Sequence, residues 1–265
     1  MGVLGIILLL PFVCLGGEGP YAPEAGRPDS TAIPMDHEKI TGWATGWSEY
    51  VPGTGVEDPW RNPERALGRA SGITTDVVSL GMGGSLTLTF DFPLENREGY
   101  DFAVFGNSFS DTFLELAFVE VSTDGHIFVR FPTHSLTQNR VHAFGHVNPT
   151  QIDGFAGKYR AGYGTPFDLD QLEKEDAVIQ GLVDLSRILY VRLEDVVGDG
   201  SRTDSHGNPV YAPYPTQISA GFDLDGVAVL SGVILAPSGR EDAAPLVNAG
   251  IGDDSGCFIG QVAAF

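Results

Sequence analysis

Residues 77–125 read VVSLGMGGSLTLTFDFPLENREGYDFAVFGNSFSDTFLELAFVEVSTDG, and this stretch decides the fold. Leu86, Leu88, Phe90 and Phe92 alternate with Ser85, Thr87, Thr89 and Asp91, the period-two pattern of a strand with one face in a core and one in water. Tyr100 to Phe105 is apolar on both faces apart from Asp101, and Phe113 to Val121 is apolar except for Glu115 and Glu120. Strands this apolar lie between layers. A carboxylate inside one needs a partner, because an unpaired buried charge is costly or titrates until it is neutral. With almost no helix signal between these runs, the chain reads as all-β, an antiparallel β-sandwich with long loops.

Composition supports that reading and narrows the partners. The 265 residues suit one large sandwich, and 35 glycines and 17 prolines supply punctuation for many short strands. A net charge of −20 with only 15 basic residues argues against nucleic acid and against anionic membrane surfaces. Such an excess of carboxylates suits an extracytoplasmic protein, where calcium offsets part of the repulsion.

The chain divides into blocks. Val3 to Leu15 is an apolar run too short to span a bilayer comfortably and right for a signal peptide, so residues 1–17 are expected as a leader and the protein as secreted or held at the cell surface. No basic n-region precedes the run, which leads to the expectation that the true start lies further upstream. Two fates are open: simple cleavage, or lipid anchoring at Cys14, with LGGEG as tether but Pro11, Phe12 and Val13 fitting a lipobox poorly. Residues 18–36 are expected as an extended linker, 37–235 as the sandwich, and 236–265 as a C-terminal linker or tail carrying Cys257. Asn62 to Leu67 reads as a short helical turn, with Asn62 as cap and Pro63 at the first helical position.

Taken in order, GWATGW (42–47), NPERALG (62–68), the strand block 77–94, DFAVFGNSF (101–109), ELAFVEVSTDG (115–125), GKYRAGYGTPFDL (157–169) and GFDLDGVAV (221–229) resemble a family of bacterial exported proteins called only cell surface proteins. The resemblance spans about residues 40–232. It implies a jelly-roll domain akin to galactose-binding and carbohydrate-binding modules. Members often carry C-terminal sorting tails, and some sit beside outer-membrane uptake systems, including those for cobalamin. The family's VFEN stands here as Val104, Phe105, Gly106 and Asn107, one carboxylate fewer.

Asp223 and Asp225 are two apart on a strand, so they are expected on one face, where like charges call for a cation or a basic residue between them. GFDLDGVAV is also similar to the last strand of calcium-binding jelly-roll modules, which implies Glu57 and Asp58 as partners at the sandwich edge. Asp101, Asn107 and Asp111 form a further group around the VFGNSF turn, from which Asp101 and Asn107 are taken as candidate ligands. The expectation is a structural calcium ion held among these six residues, against the alternative that the aspartates cap turns or pair with arginines. In DVVGDGSRTDSHGN, Asp195, Asp199, Asp204 and Asn208 read as a solvated acidic loop. His142 and His146 lie at i, i+4, but Gly145 and Pro149 oppose a helix there.

No GxSxG elbow, P-loop or dinucleotide fingerprint occurs in a fitting context. Glu115 and Glu120 are five apart on one strand and so point to opposite faces, unlike a glycosidase pair. Ligand contact is expected instead at Tyr159, Arg160 and Tyr163, with Tyr211 and Tyr214, whose flat faces and polar tips suit a glycan or a planar cofactor such as a corrinoid. The sequence thus points to a non-catalytic, calcium-stabilised surface binding protein. A carbohydrate-active hydrolase and an adhesion protein without small ligand are its rivals.

Overall fold

A computed structural model of the protein describes residues 19–231. The expected leader with Cys14 and the expected tail with Cys257 lie outside the described residues. Strand accounts for 36% and helix for 8%, so the all-β expectation holds. In chain order the strands are β1 (Ile33–Pro34), β2 (Ile40–Trp43), β3 (Gly46–Val51), β4 (Val78–Ser79), β5 (Ser85–Leu94), β6 (Phe102–Gly106), β7 (Ala117–Ser122) and β8 (Val129–Arg130). They continue as β9 (His134–Ser135), β10 (Ile152–Asp153), β11 (Tyr163–Phe167), β12 (Ile188–Asp195), β13 (Asp199–Thr203), β14 (Pro209–Tyr211) and β15 (Asp223–Leu230). One sheet runs β1-β11-β6-β15-β2 with β4 on β15, the other runs β3-β5-β12-β7-β8, and β9–β10 and β13–β14 form small ribbons. Pairing between these strands is antiparallel throughout.

The core is the apolar layer shared by the two large sheets. Leu86 and Leu88 of β5 and Val191 and Leu193 of β12 bury against Phe102, Val104 and Val227 of the opposite sheet. β6 is covered on its other side too, where Ala103 and Phe105 join Ile33 and Ala228. That double cover is why β6 is apolar on both faces. β7 sends Val119 and Val121 into the core and Phe118 into a third cluster with Leu116 and Phe155. Its Glu120 finds the partners a carboxylate there requires, Arg130 at 2.8 Å and Arg192.

Two expectations need correction. Phe92 is 81% exposed although the alternation places it in the core. Leu94 pairs with Ile188 and Thr89 with Tyr190, so β5 carries extra residues over this span and bulges outward beside Pro93 before Leu94 returns to the core. Residues 19–36, read as a linker, lie along the sandwich. Tyr21 N donates to Thr150 O at 3.1 Å, Ile33 and Pro34 pair with β11, and Ala22, Ala25 and Ile33 are buried. The physical reason is the apolar outer face of β6 and β15, which this strap and Trp43 cover. The turn at Asn62 forms as a 3-10 helix, Pro63–Ala66, with the Asn62 side chain accepting from Glu64 N.

Candidate functional site

Of the six expected cation ligands, the structure brings Asn107 and Asp223 together, gives Asp225, Asp101 and Asp58 separate partners, and leaves Glu57 exposed. Leu224 faces Gly106 and Gly226 faces Phe105, so Asp225 is the extra residue of a β-bulge. The bulge takes it out of alternation with Asp223. Its Oδ1 accepts from Ser71 N at 2.9 Å and its Oδ2 from Gly72 N at 2.8 Å, so it clasps a loop. Asp101 is a second clasp: Oδ1 accepts from Arg97 N and Oδ2 from Leu169 N, each at 2.8 Å, and burial pushes its carboxyl up to about 6. Glu57 and Asp58 are exposed, Asp58 lying 3.3 Å from Arg61.

Around Asp223 the chain gathers charges without counter-charges. Asn107 Nδ2 donates to Asp223 Oδ2 at 2.8 Å and to Thr74 O at 2.9 Å. Asp223 Oδ1, Glu115 Oε1 and Ser79 Oγ are closed to solvent and make no hydrogen bond of good geometry, while the Ser79 and Ser219 hydroxyls lie near the Asp223 carboxyl and the Thr216 hydroxyl near that of Glu115. Glu115 is half-buried as a residue, but this oxygen is sealed in. Asp195, 2% exposed at the end of β12, accepts from Gly83 N at 2.8 Å and Phe222 N at 2.7 Å. Desolvation raises all three carboxyls, Asp195 to about 7; Glu115 is raised further by Asp223 and Asp195, and Asp223 by Asp195. No Lys, Arg or His among the described residues forms an ion pair with any of the three.

Glu115 lines two cavities of about 10 Å³ each, one shared with Asn107, Ser108, Phe113 and Asp223, the other with Asp195, Tyr214 and Thr216. Gly106 borders the first, and a Cβ there would meet the Phe222 ring at 3.0 Å. Sequence reading gives Glu115 and Asp195 no place in a site. The signal was only that each carboxylate stands in or beside an apolar strand. The segment around Asp195 is also less solvated than expected, because it folds into β13 and β14, and Asp204 is buried accepting from Ser135, His206 and Asn208 N–H groups.

The expected aromatic ligand contacts separate as well. Tyr159 is 1% exposed, with its hydroxyl 2.7 Å from Thr31 Oγ1, so it anchors the strap. Tyr211 packs its ring over Gly200, and Tyr214 lines the second cavity; both are half-buried. Arg160 and Tyr163 do meet. The guanidinium lies 4.6 Å from the ring centroid while bonding Asp111 and Ala25 O.

Beside that pair lies an aromatic group that sequence reading misses. Phe109, 66% exposed, stacks on buried Phe113 at 4.6 Å, and Phe113 on Phe144, 81% exposed, at 6.1 Å. Ala161 N donates to Ser108 O at 2.7 Å and Val147 N to Thr112 O at 2.8 Å, sewing three loops into one surface. His146 Nδ1 sits 2.8 Å from Thr112 Oγ1, and His142 is at a turn closed by Gly145 N, not on a helix. Phenylalanines at this spacing read as core in a sequence. Only the loop course exposes their faces. Comparison with known proteins returned no matching family model and no matching curated protein.

Proposed function

We propose that the protein is a non-catalytic, extracytoplasmic surface binding domain whose loop end takes a glycan. The observation that supports it is the stack of Phe109, Phe113 and Phe144 beside the Arg160–Tyr163 pair, held by three loops on a rigid sandwich. Aromatic faces at a loop surface bind the apolar face of a sugar ring, and a nearby guanidinium supplies donors for its hydroxyls. Two exposed rings, Phe109 and Phe144, seated on one buried ring at a loop end fit an interaction site. The apolar run at 3–15 and the resemblance to cell surface proteins support the location.

Binding is favoured over hydrolysis because Glu115, Asp195 and Asp223 border cavities of about 10 Å³, too small for a sugar ring. Calorimetric titration against glycans, with cobalamin in a parallel arm, tests the reading. Phe109→Ala and Phe144→Ala are expected to weaken glycan binding about tenfold each, a loss of the size found for aromatic stacking. Their unfolding is expected to stay within about 0.5 kcal/mol of the parent, as for exposed positions in general. Binding that survives both substitutions rejects the platform, and saturation by cobalamin alone moves the assignment to a corrinoid.

A further inference from the structure

We propose that Glu115 and Asp223, the latter oriented by the Asn107 amide N–H, form a buried site for a calcium ion seated in the cavity they line. Asp223 Oδ1 and Glu115 Oε1 are both sealed from water and both without a hydrogen bond of good geometry. Asp223 as a whole is 3% exposed. Two such oxygens on one cavity, with no cationic side chain paired to either, are stable only if a proton or a metal ion lies there.

The donor chemistry selects among metals. The cavity lining presents carboxylates, an amide, a hydroxyl and backbone, with no imidazole or thiolate. Ser79 and Ser219 hydroxyls also lie close to Asp223. An all-oxygen set with two carboxylates suits calcium, which takes about six to eight oxygens and accepts carbonyls and waters among them. Zinc and copper sites favour nitrogen and sulfur. The volume, about 10 Å³, admits one water-sized or ion-sized occupant. Among the described residues no three acidic, cysteine or imidazole groups are gathered closely enough to hold a metal ion, so an ion at this cavity would need neutral oxygens besides the two carboxylates.

The three contributing segments are the turn after β6, the approach to β7 and the first residue of β15. An ion there ties the base of the loop that carries Phe109 and Phe113 to the end of the sheet. The inference does not depend on the glycan reading, since sugar is absent from every arm of its test.

The test uses the full chain, dialysed against EGTA and then titrated with calcium chloride by calorimetry and by thermal unfolding. One binding event is expected, with a rise in Tm of about 5–10 °C at a calcium concentration roughly a hundredfold above Kd. Glu115→Gln and Asp223→Asn are expected to abolish both, while Glu57→Gln, at the exposed edge, keeps them. Asp223→Asn disturbs the bond from Asn107 and is the variant at risk of not folding; Glu115→Gln keeps an oxygen to accept from the Thr216 hydroxyl and keeps the test decisive. Calcium that leaves heat and Tm unchanged, or a rise retained in Glu115→Gln, overturns the site. A parent chain that is itself indifferent to calcium, and that Glu115→Gln makes more stable, points to a shared proton instead.

Discussion

Asp101 shows how a carboxylate that looks like a ligand can be a structural clasp. Its two oxygens satisfy buried backbone donors of Arg97 and Leu169. Asp101→Ala leaves the Leu169 N–H without an acceptor and is expected to cost about 1–3 kcal/mol in urea unfolding. Burial raises this carboxyl from 3.8 to about 6, so the folded state holds the proton more tightly than the unfolded chain. The contribution of Asp101 to stability is therefore greatest below pH 3.8, falls as pH rises through the window to about 6, and is at its least above it. Asp101→Asn is expected to flatten that part of the stability profile; a profile identical to the parent's rejects the assignment. The need for a partner was legible in the sequence, because Asp101 interrupts an apolar run. The partner was not, since Leu169 opens a 3-10 helix after β11, distant in sequence, that only the tertiary fold delivers.

Elements were legible where alternation is regular and illegible where a bulge breaks it. β5 is readable from Ser85 to Phe90, and β6 and β7 from their double-sided apolar runs. The bulge before Leu94 turns Phe92 outward, and the bulge at Asp225 divides two aspartates that a straight strand would align. Neither bulge has a signature in one sequence, because it depends on the partner strand's register. The same pair of phenylalanines checks this: Phe90→Ala, in the core, is expected to cost about 3–5 kcal/mol. Phe92→Ser is expected to move stability by less than about 0.5 kcal/mol. Equal losses in chemical denaturation would mean that Phe92 is buried in solution. On the outer face of β7 and β12, Glu120 forms cross-strand pairs with Arg130 and Arg192, while Glu194 reaches Arg130 two strands away and Arg202 of β13.

At the scale of the whole molecule, the strap at 19–36 belongs to the domain. Its sequence, rich in proline and small residues, carries no periodic pattern, so its docking is visible only once the apolar outer face of β6 and β15 is known. Removal of residues 1–36 uncovers Phe105 and Ala228 and withdraws Ile33, and is expected to lower Tm by about 5 °C or more, on the scale of burying one or two aliphatic side chains. An unchanged Tm would make the segment a linker after all. The sheet order has a consequence for how the chain acquires its shape. β2, near the start, is hydrogen-bonded to β15, with Trp43 opposite Ala228, and β1 is bonded to β11. A nascent chain halted before β15 has no neighbour for β2 in this sheet, and the six-stranded sheet stays unfinished until β15 has been made. Such long-range closure makes for slow folding and a late commitment to the native state, which keeps the growing polypeptide pliable until the last strand of the sheet is in place.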